Sequence, residues 1–259
     1  MLLFFDIDGT LLDEYTFTVP QSSIEAINLA KENGHLCFIN TGRPISTIDH
    51  IIKEIGFDGY VCGCGTYVEL HNQVIFHNEL QQVLRQELIQ MIYDCHLEAV
   101  LEGINGAYFP DNIKKPLIQG MYKRYQDMGF HVSIYHKEDD IQFDKFAFWF
   151  DENSDVDTFI NRYKDQFTFI KRDHDFYEVV PTPYSKASGI QKLCQHLNIP
   201  KSETISFGDS TNDLDMLKYT NYSVAMKESH PDVYKHVTYT TTSIKDNGIY
   251  NALKYYKII

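Results

Sequence analysis

The sequence predicts an α/β protein: a parallel-sheet core interrupted by an inserted α+β segment. Three observations carry this reading. Short apolar runs alternate with helical patterns up to about residue 65 and again after residue 185. Between about 80 and 180 strands and helices mix without βαβ regularity, and Pro181 and Pro183, two prolines in three residues, mark the return. The expected division is a discontinuous core of residues 1–80 and 181–259 and an insert of residues 81–180.

Leu2-Leu3-Phe4-Phe5 reads as a short buried strand that delivers Asp6 and Asp8 onto a Gly9-Thr10 turn. Side chains two apart on extended backbone point the same way, so both carboxylates can address one site. Ser22-x-x-Glu25 has the spacing of a capping box, and Ile24, Ile27 and Ala30 then share a helical face until Gly34. Leu36-Cys37-Phe38-Ile39 is the next strand, ending in Asn40-Thr41-Gly42-Arg43-Pro44. Strand, helix, strand with a right-handed crossover brings Thr41 to the sheet edge of Asp6. Ile45, Ile48, Ile52 and Ile55 trace a further helix closed by Gly56, and Tyr60-Val61-Cys62 a third strand. Alternation over 66–76 around His71-Asn72-Gln73 predicts a hairpin, read as a flap leading out of the core.

In the insert, helical patterns cover 83–93, 118–128 and 156–163, and strand patterns cover 99–101, 132–135, 146–150, 167–170 and 177–180, which suggests a largely antiparallel sheet. The aromatic residues Phe143, Phe146, Phe148, Trp149 and Phe150 read as a packed core strand rather than a ligand cage. Beyond the prolines, Ser185-Lys186 opens a helix with Ile190, Leu193, Cys194 and Leu197 on one face. Thr204-Ile205-Ser206-Phe207 is a strand that breaks into Gly208-Asp209-Ser210-Thr211-Asn212-Asp213. A helix from Leu214, a strand over 222–226, an edge piece over 237–240 and a helix over 248–256 complete the chain.

A net charge of -13 argues against nucleic acid or an anionic membrane as partner, since both call for clustered Lys and Arg. No stretch has the pattern of a signal peptide or the length of a membrane span. The five cysteines are an odd number in a chain large enough to fold without disulfides, and they read as reduced thiols of a cytoplasmic monomer or small homo-oligomer.

Each polar stretch follows a predicted parallel strand or opens a helix, and a parallel sheet gathers such positions on one edge. Asp6, Asp8 and Asp209 offer hard oxygen ligands suited to Mg2+. Lys186, the Thr41 hydroxyl and the backbone N–H groups around Gly42 would receive a small phosphate ester. Asp6, rigidly aimed at a strand end, suits in-line attack on phosphorus, and Asp8 suits protonation of the leaving alcohol and then activation of water. Taken singly, the stretches have plainer readings: Asp-x-Asp-Gly and Thr41-Gly42-Arg43 as turns, Lys186 as a solvated helix start, Asp213 as a helix cap.

The order acidic pair, Thr-Gly-Arg, Lys, then Gly-Asp-x-x-Asn-Asp resembles the haloacid dehalogenase superfamily of aspartate-nucleophile phosphatases from end to end. The insert between the Thr-Gly-Arg and Lys stretches is similar to the type IIB cap of its Cof-like subfamily, whose members act mostly on sugar phosphates and other small phosphate esters. The resemblance implies a Rossmann-like parallel-sheet core with an inserted α+β cap. It implies Asp6 as nucleophile and Asp8 as general acid/base lending its backbone carbonyl to Mg2+. Thr41, Gly42 and Lys186 would bind the phosphoryl group, Asp209 would ligate the metal with Asp213 behind it through water, and Asn212 would orient phosphate or loop. Ala225-Met226 and Asp246-Asn247-Gly248 extend the likeness. The chain departs from the family pattern at Cys64-Gly65-Thr66, at Lys227-Glu228 and at Ala187 after Lys186, which bears on substrate contacts more than on the chemistry. Two alternatives are a phosphotransferase or mutase on the same scaffold and a non-catalytic phosphometabolite-binding regulator. The regulator should lack one of Asp6, Asp8, Lys186 and Asp209, and none is missing.

Overall fold

The structure, a computed structural model, describes residues 1–259. The chain opens with β1 (Leu2–Phe5), α1 (Gln21–Glu32), β2 (Leu36–Asn40), the single turn α2 (His50–Lys53), β3 (Gly59–Cys62), β4 (Tyr67–Leu70) and β5 (Gln73–His77). There follow α3 (Gln82–Asp94), β6 (Glu98–Gly103), β7 (Gly106–Pro110), α4 (Pro116–Asp127), β8 (Val132–Tyr135), β9 (Lys145–Trp149), α5 (Val156–Tyr163), β10 (Phe167–Asp173) and β11 (Phe176–Pro181). The last part holds α6 (Lys186–Leu197), β12 (Thr204–Gly208), α7 (Leu214–Tyr219), β13 (Tyr222–Ala225), β14 (Tyr239–Thr240) and α8 (Gly248–Tyr255). Two compact units result: Met1–Gly42, Asp49–Phe76 and Ser185–Ile259 form the first, and Arg43–Ile48 with His77–Tyr184 the second.

The first unit is built on an eight-stranded sheet in the order β14-β13-β12-β1-β2-β3-β4-β5. Pairing is parallel from β14 through β3, and β4 joins β3 antiparallel. All four residues of β1 are fully buried, which is why that strand reads as an unbroken apolar run. Its register sets Phe5 beside Ile39 on one side and Phe207 on the other, so the residues that follow, Asp6, Asn40-Thr41 and Gly208-Asp209, emerge along one edge. Leu2, Phe4, Phe38 and Val61 pack against Ile190 and Leu193 of α6 and Met216 and Leu217 of α7, while α1 lies against α8 beyond the other face.

Three local expectations for this unit are corrected. The helix traced by Ile45 to Ile55 is broken: a short 3-10 turn at Ile45–Thr47 and α2 are separated by Ile48 and Asp49, which are extended at φ -76°, ψ 122° and φ -58°, ψ 146°. Ser46 Oγ donates to the Gly103 carbonyl at 2.6 Å, so Arg43–Ile48 is drawn into the second unit, which helical periodicity cannot reveal. Nor do Ser22 and Glu25 make a capping box, because α1 starts earlier, with Pro20 as its N-cap and no side-chain cap. The 66–76 hairpin forms with His71 and Asn72 at positive φ, yet it extends the sheet as β4 and β5 instead of standing off as a flap.

The second unit holds a six-stranded sheet, β10-β11-β9-β6-β7-β8, antiparallel except for the β7–β8 pair. Alternation along β9 sends Phe146 and Phe148 to the face covered by Leu88, Ile89 and Ile92 of α3 and Phe159 and Tyr163 of α5. Ala147 and Trp149 go to the face covered by Ile118 of α4. The aromatic crowding is therefore core. Strand β7 is absent from the sequence reading because Gly106 and Pro110 bound it like turn residues; a Cβ at Gly106 would stand 2.6 Å from the His131 carbonyl oxygen, so β8 can pair there only with glycine. No helix is long and apolar enough to cross a membrane.

Candidate active site

Asp6 leaves β1 with its N–H donating to the Phe207 carbonyl at 3.0 Å, so the sheet ladder itself fixes where the carboxylate starts. The chain then turns sharply. Gly9 has φ +78°, and a Cβ there would stand 2.5 Å from Asp209 Oδ2, so glycine is what lets this loop lie against Asp209. Thr10 Oγ1 donates to Asp209 Oδ1 at 2.8 Å. Asp8, half-buried, lies in a bridge to Leu12.

Lys186 opens α6, whose entry is fixed by reciprocal hydrogen bonds between Ser185 and Ser188. Gly65 and Gly189 permit that approach: a Cβ on Gly65 would be 2.2 Å from the Ser185 carbonyl oxygen, and one on Gly189 2.2 Å from Val61 Cγ1. The Lys186 ammonium, 1% exposed, reaches Asp6 Oδ1 at 2.6 Å and Asp213 Oδ1 at 2.5 Å. Asp213, fully buried, also accepts the N–H groups of Asp209 and Ser210 at 3.0 Å each through Oδ2. One carboxylate thus closes the 208–213 loop and orients the lysine.

Carboxylate oxygens of Asp6, Asp209 and Asp213 lie within 4.8 Å of one another. Burial first, then repulsion from Asp213, Asp209 and Asp8, holds the Asp6 carboxyl well above its ordinary range despite the pull of Lys186. Asp209 is pushed up to about 7 by burial and by Asp213, against the Thr10 hydrogen bond. For Lys186, burial works against the charge, but Asp213 and Asp6 outweigh it and its pKa rises. The cluster therefore has more buried negative charge than its one ammonium balances. Hard oxygen donors this close, crowded enough to resist ionisation, fit a small divalent cation.

Among the expected site residues, Asp6, Lys186, Asp209 and Asp213 are joined by this cluster. Asp8, Thr41 and Gly42 reach the same edge through strand register; the Thr41 N–H donates to Val61 O at 2.9 Å and its carbonyl accepts the Cys64 N–H at 3.1 Å. Asn212 is turned toward Ser210, whose hydroxyl it accepts. Two residues escaped the sequence reading. Thr10 buttresses Asp209, and its place directly after the Asp-x-Asp-Gly turn was the available signal. Asn40, fully buried, donates to the Lys186 carbonyl at 3.1 Å while its Oδ1 has no partner; a polar residue ending an apolar strand was the signal there. Glu228, at a departure from the family pattern, lines a cavity of about 240 Å3 with Gly9, Asp13, Asp209 and Lys245.

Residues 3–253 match the sequence model of the haloacid dehalogenase-like hydrolases. The chain belongs to this family. YkrA of Bacillus subtilis (strain 168) is 28% identical over 255 residues, 98% of this chain and 96% of that protein. The 5-amino-6-(5-phospho-D-ribitylamino)uracil phosphatase YitU of the same organism is 22% identical over 271 residues, 98% of this chain and 97% of that one. Among solved structures, the HAD subclass IIB sugar phosphatase BT4131 is 25% identical with a TM-score of 0.85, covering 100% of this chain and 99% of its own. This member of the haloacid dehalogenase-like hydrolases is an enzyme of the phosphatase type.

Proposed function

We propose that the protein is an Mg2+-dependent phosphatase that hydrolyses small phosphate esters, sugar phosphates or similar metabolites, through an aspartyl-phosphate on Asp6. The observation that carries the reading is the contact of Lys186 with both Asp6 and Asp213, which joins three distant stretches at one sheet edge. The Asp6 and Asp209 carboxylates and the Asp8 backbone carbonyl would hold Mg2+, with Asp213 behind them. When bound, the ion would offset the carboxylates' charge and draw the phosphoryl oxygens into the site.

In this mechanism the Asp6 carboxylate attacks phosphorus in line with the leaving oxygen; the P–O bond to the alcohol breaks as Asp8 gives that oxygen its proton. Asp8, now a carboxylate, takes a proton from water, whose oxygen attacks the aspartyl-phosphate and releases inorganic phosphate and free Asp6. Lys186, the Thr41 hydroxyl and the Gly42 N–H hold the phosphoryl oxygens, and Asn212 orients the loop. The second unit serves as the cap that discriminates among leaving groups. The enzyme acts in the cytoplasm on free small molecules, as a monomer or small homo-oligomer, in keeping with its net charge of -13 and five buried thiols. Phosphate release from a panel of hexose phosphates, nucleotides, flavin mononucleotide and pyridoxal phosphate, after chelation and after Mg2+ add-back, tests the reading. Full turnover in metal-free buffer, or none on any ester with Mg2+, overturns it.

A further inference from the structure

Asn40 ends β2 with an amide at a place where the rest of the strand is apolar. Phe38, two residues earlier, pairs with Phe4 and packs beneath α6, and Asn40 itself pairs with Val61 of the same apolar cluster. Side chains two apart share a face, so the Asn40 amide lies under the start of α6. There Nδ2 donates to the Lys186 carbonyl at 3.1 Å, while Oδ1, in a residue with no exposed surface, has no partner. A carbonyl can only accept, so it fixes which end of the amide faces it.

Stability gives no account of this amide. A carbonyl in the first turn of a helix is already met by the N–H four residues on. One neutral hydrogen bond, moreover, gains no more than an unpaired buried oxygen costs. An aliphatic side chain would continue the run Leu36-Cys37-Phe38-Ile39 without that cost.

What the amide supplies is direction. Gly65 and Gly189 let the start of α6 lie close to Val61 and the turn beyond it, but such contacts limit an approach without fixing its register. The Lys186 ammonium meets Asp6 at 2.6 Å and Asp213 at 2.5 Å, so a small slide of the helix start would lengthen one contact or both. Asn40 also directly precedes Thr41, whose backbone is bonded to Val61 and Cys64. One hydrogen bond inside the first unit thus ties the Thr41 stretch to Lys186 across 146 residues of chain.

We propose that Asn40 is a positioning residue for phosphoryl transfer: it sets the spacing between Lys186 and Thr41, the two side chains that hold the phosphoryl oxygens. The inference rests on the phosphatase reading above. Its test compares full-length wild type, Asn40→Leu and Asn40→Ala with saturating Mg2+, well below the lowest melting temperature of the three. Each is assayed on p-nitrophenyl phosphate and on whichever ester of the panel above the wild type cleaves fastest. Asn40→Leu, which fills the space and removes the unpaired oxygen, should melt at or above wild type, and Asn40→Ala, which leaves a gap, below it. Both should lose kcat about tenfold or more, by similar factors on the two esters, because the phosphoryl group is what the esters share. Equal losses in variants of opposite stability are what a merely structural asparagine would not produce. Wild-type kcat in either folded variant, losses that follow the melting temperature, or a loss confined to the KM of one ester overturns the proposal. Any of these with an active wild type refutes this inference alone, whereas no phosphate release by the wild type from any ester refutes the phosphatase reading with it.

Discussion

The ammonium of Lys186 stands 2.6 Å from the carboxylate of Asp6, although 180 residues separate them in the chain. Its other partner, Asp213, also holds the amides of the 208–213 loop, so the lysine ties the end of β1 to the end of β12. Lys186→Met would leave two buried carboxylates facing each other. Breaking a buried pair in this way costs about 3–5 kcal/mol, so the variant should melt well below wild type and release no phosphate. A variant with unchanged melting temperature would contradict the picture of a charge-balanced cluster.

Asp6→Asn should abolish turnover and leave the fold intact, because the amide is nearly isosteric but is no nucleophile. It also removes one of the repelling charges, so its melting temperature in metal-free buffer should not fall. Near wild-type rates would transfer the nucleophile's role to water. Asp209→Asn should instead raise the Mg2+ concentration needed for half-maximal rate.

Asp209 is raised from 3.8 to about 7, so between those values the folded state binds more protons than the unfolded state. Stability of the metal-free protein from this group is therefore largest below the unfolded value and declines as pH rises through the window, and raised Asp6 acts in the same direction. A cation competes with those protons, so Mg2+ should raise the melting temperature more at about pH 8 than at about pH 5. Equal increments at both pH values would contradict this.

Gly9→Ala should act through Asp209. The new methyl group would meet that carboxylate at 2.5 Å on backbone with φ +78°, displacing it from Thr10. Misplacing a group in such a site can lower kcat/KM by about 100-fold. Thr10→Val, which removes only the hydrogen bond, should give a smaller loss and a raised Mg2+ requirement. If Gly9→Ala kept the wild-type rate and Mg2+ requirement, the loop would not be positioning Asp209.

The parallel core was legible because buried strands announce themselves: Leu2–Phe5 is an unbroken apolar run and Thr204–Gly208 a short strand pattern around Ile205 and Phe207, and each leads into acids beside a glycine. The cluster was legible for the same reason, since its members stand where those runs stop. The partners of Asp213 were not, because a carboxylate that accepts loop amides and one that serves a cation look alike in sequence. The break at Ile48 was hidden by isoleucines at helical spacing, since the burial of Ile48, Ile52 and Ile55 satisfies the same pattern without a continuous helix. Strand β7 was hidden by the turn chemistry of its two ends.

The strand order carries a consequence for synthesis. β1 pairs with β2, made at once, and with β12, which begins only at Thr204. At about 5–20 residues per second, roughly 10–40 s of translation pass before that second partner leaves the ribosome. Meanwhile the nascent chain holds an apolar strand with one unpaired side, while the contiguous stretch His77–Tyr184 has every strand it needs to close its own sheet. The ribosome thus delivers a folded insert before a finished core, and Asp6 waits for its lysine until the final third of the chain begins to emerge.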